Sequence, residues 1–172
     1  MVLLSFAAIT TFTIIFVCWG NICRSPAAHG TMNYLINKYN LRNIEVNSAA
    51  IESIHVGQLP DSRTRCTALE RGIQVNHRAR QVTLKDLETF DIIIAMDNEN
   101  YEKLRILGNN KYNDKIKKMA DCLSQEKYGF YDEIPDPYYG DINGFYNVLD
   151  LVYDGCVGIL QQYNFIQNID NQ

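Results

Sequence analysis

The run Thr13-Ile14-Ile15-Phe16-Val17-Cys18-Trp19-Gly20-Asn21-Ile22-Cys23-Arg24-Ser25-Pro26 changes character twice. Thr13 to Val17 is β-branched and aromatic, the pattern of a strand buried in a parallel sheet. Gly20 and Asn21 then bring residue types that tolerate the backbone angles of a tight loop. Ser25 is a favoured helix cap and Pro26 a favoured first helical residue. Ala28, Met32, Leu35, Ile36 and Tyr39 follow at helical spacing. The run therefore reads as strand, loop, helix.

Downstream the alternation continues. Asn43 to Ser48 predicts a second strand. Pro60-Asp61 opens a helix that runs to about Arg71 and is closed by Gly72. Leu84 to Glu88 predicts a short helix and Asp91 to Met96 a third buried strand. Glu99 to Leu107 is helical and stops at Gly108, and Lys115 to Met119 predicts a short fourth strand. Ser124 to Gly140 is long and irregular, and such loops often carry function. From Ile142 the set Phe145, Val148, Leu149, Val152, Cys156, Ile159, Leu160 and Tyr163 marks a long last helix. Strands alternating with helices predict an α/β fold, a parallel sheet flanked by helices on both faces.

With 172 residues the chain is one domain's worth, read as a single catalytic domain over 1–172. Residues 167–172 read as a frayed polar tail. The apolar share of 47% and charged share of 21% exclude global disorder. The net charge of −4, from 16 Lys+Arg against 20 Asp+Glu, argues against nucleic acid as a partner. Five scattered cysteines (Cys18, Cys23, Cys66, Cys122 and Cys156) make no secreted disulfide framework and no metal-ligand spacing. The expectation is a cytoplasmic protein with reduced thiols, no metal and no cofactor.

Residues 1–11 form an apolar extension of open role: an extra strand, a poorly ordered segment or a weak membrane contact. The membrane reading is disfavoured. Across the uncharged run Met1 to Val17 no Lys or Arg precedes the apolar residues, Ser5, Thr10, Thr11 and Thr13 interrupt them, and 17 residues is at the short limit for a span.

The loop after the first strand is a favoured ligand position in an open α/β sheet. A helix N-terminus attracts anions through free N–H groups and its dipole. Arg24 adds a planar fork that matches two phosphoryl oxygens. A loop curled into a cradle sets Cys18 facing the bound phosphorus, and a helix N-terminus with a nearby cation favours a thiolate nucleophile.

The motif V-C-x-G-N-x-C-R-S-P resembles the signature of the low-molecular-weight protein tyrosine phosphatases. Further matches follow in order: Asn47-Ser48-Ala49-Ala50, Pro60-Asp61-Ser62-Arg63, His77-Arg78-Ala79-Arg80-Gln81, Ala95-Met96-Asp97 and Asp136-Pro137-Tyr138-Tyr139-Gly140. Together they span about residues 13 to 165. The resemblance implies a four-stranded parallel sheet. It also implies metal-independent hydrolysis of phosphotyrosine in proteins, and of small aryl phosphates, through a cysteinyl-phosphate.

On the same footing Cys18 is the expected nucleophile, Arg24 the clamp on the transition state and Asp136 the general acid. Trp19, Gly20, Asn21, Ile22, Cys23, Ser25, Ile54, Tyr138 and Tyr139 are expected at the substrate site. Tyr138 and Tyr139 would wall an aromatic slot. Ser25 would both cap the helix and donate to the Cys18 thiolate. Asn21, Ser48 and His77 would hold the loop in shape, and Asp97 would orient Arg24 while capping the next helix. Cys23 has a redox reading, trapping an oxidised Cys18 as a disulfide. Phosphate and other oxyanions would inhibit.

Three departures bear on substrate preference. Trp19 is larger than the family's usual residue. Ile54 replaces an aromatic. His29-Gly30 replaces a more usual Glu-Ala, and a helical glycine costs about 1 kcal/mol in propensity. Two alternatives stand beside the phosphatase reading: an arsenate reductase on the same scaffold, and a non-catalytic phosphoprotein-binding module.

Overall fold

Burial along strand β1 (Phe12–Cys18) alternates between two cores. Ile14, Phe16 and Cys18 enter one hydrophobic cluster, while Ile15 and Val17 enter another. This is why the run has no polar alternation: both faces of the strand are covered. The computed structural model describes residues 10–167. The role expected of the extension, and the frayed tail, fall almost wholly outside them.

The remaining strands are β2 (Ile44–Ala50), β3 (Ile92–Ala95) and β4 (Ile116–Lys118), and the parallel sheet has the order β2-β1-β3-β4. Helices α1 (Arg24–Lys38), α2 (Ser62–Leu69) and α6 (Ile142–Gln162) cover one face. Their cluster joins Ala28, Met32 and Leu35 to Ala68, Val152, Cys156 and Ile159. Helices α3 (Leu84–Thr89) and α4 (Asn98–Leu107) cover the other face through Leu87 and Leu104. Each large side chain buried this way contributes about 1.5–3 kcal/mol. Among the described residues no helix is long and apolar enough to cross a membrane.

The strand order reverses between β1 and β3, and in open α/β sheets ligands bind beyond the carboxyl ends of the strands at such a switch point. Cys18 ends β1, and Met96-Asp97 follows β3 directly.

Several expectations shift. Helix α1 begins at Arg24 with Cys23 in the cap position and no side-chain cap, so Ser25 is not the cap and Pro26 is not the first helical residue. The Ser25 hydroxyl is drawn instead to Cys18 Sγ, 3.0 Å away. Strand β2 extends to Ala50, because Ala50 N–H also bonds Arg80 O. Helix α2 ends at Leu69, and the chain turns before Gly72, whose φ of +72° suits glycine. Ser124–Gly140 is not irregular throughout: it holds a 3₁₀-free short helix α5 (Gln125–Tyr128), capped by the Ser124 hydroxyl.

Gly30 has a packing reason. A Cβ there would lie 2.6 Å from Gln74 O and 2.8 Å from Val75 Cγ2, so glycine lets α1 approach the segment after α2.

Candidate active site

The loop after β1 is closed by its own groups. Asn21 sits at φ +54°, its backbone N–H donates to Cys18 Sγ at 3.3 Å, and its side-chain amide donates to Ser25 Oγ at 2.8 Å. Ser25 Oγ in turn donates to Cys18 Sγ. Two donors thus point at one sulfur that is only 3% exposed. The loop after β2 zips onto this one: Ile51 N–H bonds Cys18 O and Glu52 N–H bonds Trp19 O, both at 2.9 Å.

Arg24, also 3% exposed, bridges three segments. Nη1 donates to Asp97 Oδ2 at 2.6 Å and to Ile134 O at 3.2 Å, while Nη2 donates to Asp136 Oδ2 at 2.7 Å. Its Nε is buried with no partner among the described residues, which leaves a donor for a ligand oxygen. Burial disfavours the guanidinium charge, but Cys18, Asp136 and Asp97 outweigh it and raise the Arg24 pKa. Asp97 holds both of its expected positions, since Oδ1 accepts the Asn100 N–H at 2.7 Å as the cap of α4.

Cys18, Arg24 and Asp136 meet in a cavity of about 450 Å³. Trp19, Gly20, Ile22, Cys23, Ile54, Tyr138 and Tyr139 line it. Tyr138 and Tyr139 stand edge to face at 5.0 Å, with Tyr139 97% exposed. Asn21 and Ser25 do not line the cavity. Both are fully buried behind the loop, where they shape it rather than face a ligand.

His55 is a wall residue that the sequence reading missed, although its neighbour Ile54 was singled out. Its ring meets Trp19 edge-on at 6.2 Å and lies tilted to Tyr138 at 6.4 Å. A Cβ on Gly20 would sit 2.8 Å from His55 Cδ2, so Gly20 makes room for this ring.

Behind the loop, His77 Nε2 bonds Ser48 O at 3.1 Å, while the Ser48 hydroxyl pairs with His29 Nδ1 at 3.2 Å. His29, noted from sequence only as a departure, therefore belongs to the supporting layer. Burial, then His77 and Arg80, push the His29 pKa down to about 4, and burial lowers that of His77. Arg80 links this layer to the loop, as its backbone N–H bonds Asn21 Oδ1 at 3.2 Å and its Nε bonds Asn47 Oδ1 at 3.1 Å. Burial, Asp61 and Cys18 push the Cys23 thiol up to about 12.

Fold and site together define a small α/β phosphatase built around an anion loop at a sheet's switch point. The family model described as low molecular weight phosphotyrosine protein phosphatase matches residues 13–168, and the chain belongs to that family. A human low molecular weight phosphotyrosine protein phosphatase is 37% identical over 154 residues, covering 86% of this chain and 90% of the relative. A Synechocystis protein that carries the low molecular weight protein-tyrosine-phosphatase name provisionally is 44% identical over 151 residues, covering 86% and 93%. The crystal structure of an Entamoeba histolytica protein tyrosine phosphatase, with Hepes in its active site, superposes with a TM-score of 0.83. It is 40% identical and covers 91% of this chain and 100% of that one.

Proposed function

We propose that this chain, as a single catalytic domain, hydrolyses phosphotyrosine in proteins and small aryl phosphates through a cysteinyl-phosphate, with no metal required. The carrying observation is that the buried Arg24 joins the Cys18 loop to the carboxylate of Asp136 across one cavity.

In the first step the Cys18 sulfur attacks phosphorus, the S–P bond forms and the P–O bond to the aryl group breaks. Asp136 gives its proton to the leaving oxygen, an assistance typically worth ~10²–10⁴-fold. In the second step Asp136 takes a proton from water as the water oxygen attacks phosphorus, and the S–P bond breaks to return the thiolate and inorganic phosphate. Arg24 and the N-terminus of α1 supply the positive charge that the equatorial oxygens need. Trp19, Ile54, His55, Tyr138 and Tyr139 would hold the phenyl ring.

The arsenate reductase reading lacks a thiol relay: Cys23 is the one further cysteine lining the cavity, while Cys66 is exposed on α2 and Cys156 is buried in α6. A pure binding module needs no proton donor, and a carboxylate on Arg24 competes there with a bound anion.

The test is p-nitrophenyl phosphate hydrolysis in EDTA by the wild type, Cys18→Ser and Asp136→Ala. Turnover that vanishes in the first variant and slows strongly in the second supports the mechanism. Undiminished turnover by Cys18→Ser, or none by the reduced wild type, would overturn it.

A further inference from the structure

Asp136 lies on a segment, residues 134–140, that is fixed at both ends. At its start Ile134 is fully buried, its N–H bonds Met96 O at 2.8 Å, and its carbonyl accepts from Arg24. At its far end the carbonyls of Tyr138 and Gly140 accept from Arg63, at 3.0 Å from Nη2 and 3.3 Å from Nη1. Between these anchors Pro137 rests against α6, where a Cβ on Gly144 would come within 3.3 Å of Pro137 Cβ.

Arg63 is itself held from the side of the anion loop. Its Nε and Nη2 grip the Asp61 carboxylate at 3.0 and 2.9 Å, a two-point pairing that fixes the plane of the guanidinium. That plane lies 4.4 Å from the ring of Phe145, which is buried with Ile22 and Cys23. Asp61 N–H donates to Ile22 O at 2.8 Å, inside the loop that carries Cys18 and Arg24. A chain of contacts therefore runs from the nucleophile loop through Asp61 and Arg63 to the backbone on either side of Tyr139.

We infer that Arg63, oriented by Asp61, is a positioning residue that holds the Asp136 segment in register with the anion loop. The inference rests on the assignment of Asp136 as the proton donor. Arg63 does not line the cavity, so it acts through the segment it grips. A general acid must reach within hydrogen-bond distance of the leaving oxygen, and a misplacement of ~1 Å can cost about 10²-fold. Arg63 is one-third exposed, so its ion pair with Asp61 contributes little to global stability. Its effect falls on the geometry of proton transfer.

The experiment measures kcat/KM across aryl phosphates, from p-nitrophenyl to phenyl phosphate, for the wild type, Arg63→Met, Arg63→Lys, Asp61→Asn and Asp136→Ala. Poor leaving groups need the proton most, so loss of the acid steepens the dependence on the leaving group. Arg63→Met is expected to lose about 3-fold on p-nitrophenyl phosphate and about 30-fold on phenyl phosphate, short of the steepness of Asp136→Ala. Competitive inhibition by inorganic phosphate should stay within about 2-fold of wild type, because the anion loop is intact. Arg63→Lys should restore only part, since an ammonium cannot span a carboxylate and two carbonyls. Asp61→Asn keeps a helix cap but removes the charge, and should shift the slope in the same direction by less. These two milder variants carry the same readout if Arg63→Met does not fold. A uniform loss on all leaving groups in the Arg63 variants, or a wild-type slope, overturns the role of Arg63. A wild-type slope in Asp136→Ala shows instead that the proton-donor assignment has failed, and the positioning role falls with it.

Discussion

Arg24 and Asp136 are in direct contact across the cavity, with Nη2 2.7 Å from Oδ2, while the opposite nitrogen of the same guanidinium holds Asp97. One buried cation is thus shared by two carboxylates before any phosphate arrives. A phosphate oxygen that engages Nη2 must compete with the Asp136 carboxylate, which is 46% exposed and can swing away.

That competition predicts opposite effects on turnover and on anion affinity. Asp136→Ala should slow aryl phosphate hydrolysis by ~10²-fold or more. It should also tighten competitive inhibition by inorganic phosphate about fivefold, the scale of one weak, half-exposed charge contact. The ratio of inhibition constants for variant and wild type checks this, and a weaker inhibition by phosphate would contradict it.

Trp19 forms one wall of the cavity and leans edge-on against His55. Trp19→Ala should raise KM for aryl phosphates several-fold while leaving kcat within about 2-fold, because the lost contact binds ground state and transition state alike. An alkyl phosphate offers no ring to the wall, so its KM should change far less. Steady-state kinetics on phenyl and propyl phosphate make the comparison.

Gly30→Ala tests packing against propensity. Propensity alone favours alanine by about 1 kcal/mol. The new methyl would press on the Gln74 carbonyl and on Val75, and the carbonyl belongs to backbone that cannot rotate aside. The net result should be a loss of about 2 kcal/mol, seen as a thermal midpoint lowered by roughly 5 °C. A raised midpoint would show that the helix and the segment can separate at no cost.

Stability should fall as pH drops from about 6.5 towards about 4, with His29 as the main histidine contributor. The folded protein holds His29 neutral down to about 4, whereas an unfolded chain takes up the proton near its ordinary value. The unfolded state therefore binds more protons in that window. The contribution is fully present above the unfolded value and is lost as pH falls through the folded one. His77 is lowered in the same direction, while Asp61 and Asp86, whose pKa values are also depressed, act below the usual carboxylate value. Urea midpoints at pH 7.5 and pH 5 should separate by less in His29→Gln than in the wild type.

Much of this arrangement was legible in one dimension because it is local. Thr13 to Val17 announced a strand buried on both faces, and Cys18, Gly20, Asn21 and Arg24 announced a loop on a helix N-terminus. Asp97 was readable both as a cap and as the partner of Arg24. Ser25 misled because serine before proline is the ordinary sign of a cap, whereas here a sulfur three-dimensionally adjacent draws the hydroxyl away. His55 was missed, and Arg63 was quoted only within a matching motif with no role, for a different reason. The contacts of Arg63 with Tyr138 and Gly140 cross 75 and 77 positions, and no local spacing encodes them. His29 looked like a substitution within a helix until β2 brought Ser48 beneath it.

The sheet order has a consequence for the order of synthesis. Cys18 and Arg24 belong to β1 and α1, the first of the described elements in chain order, yet the core beneath them is completed by Val148, Val152, Cys156 and Ile159 of α6. Asp136 and the carbonyls gripped by Arg63 are also made late. A chain cut short before α6 holds its thiol loop without that floor. The thiol loop therefore reaches its final packing only when α6 docks beneath it.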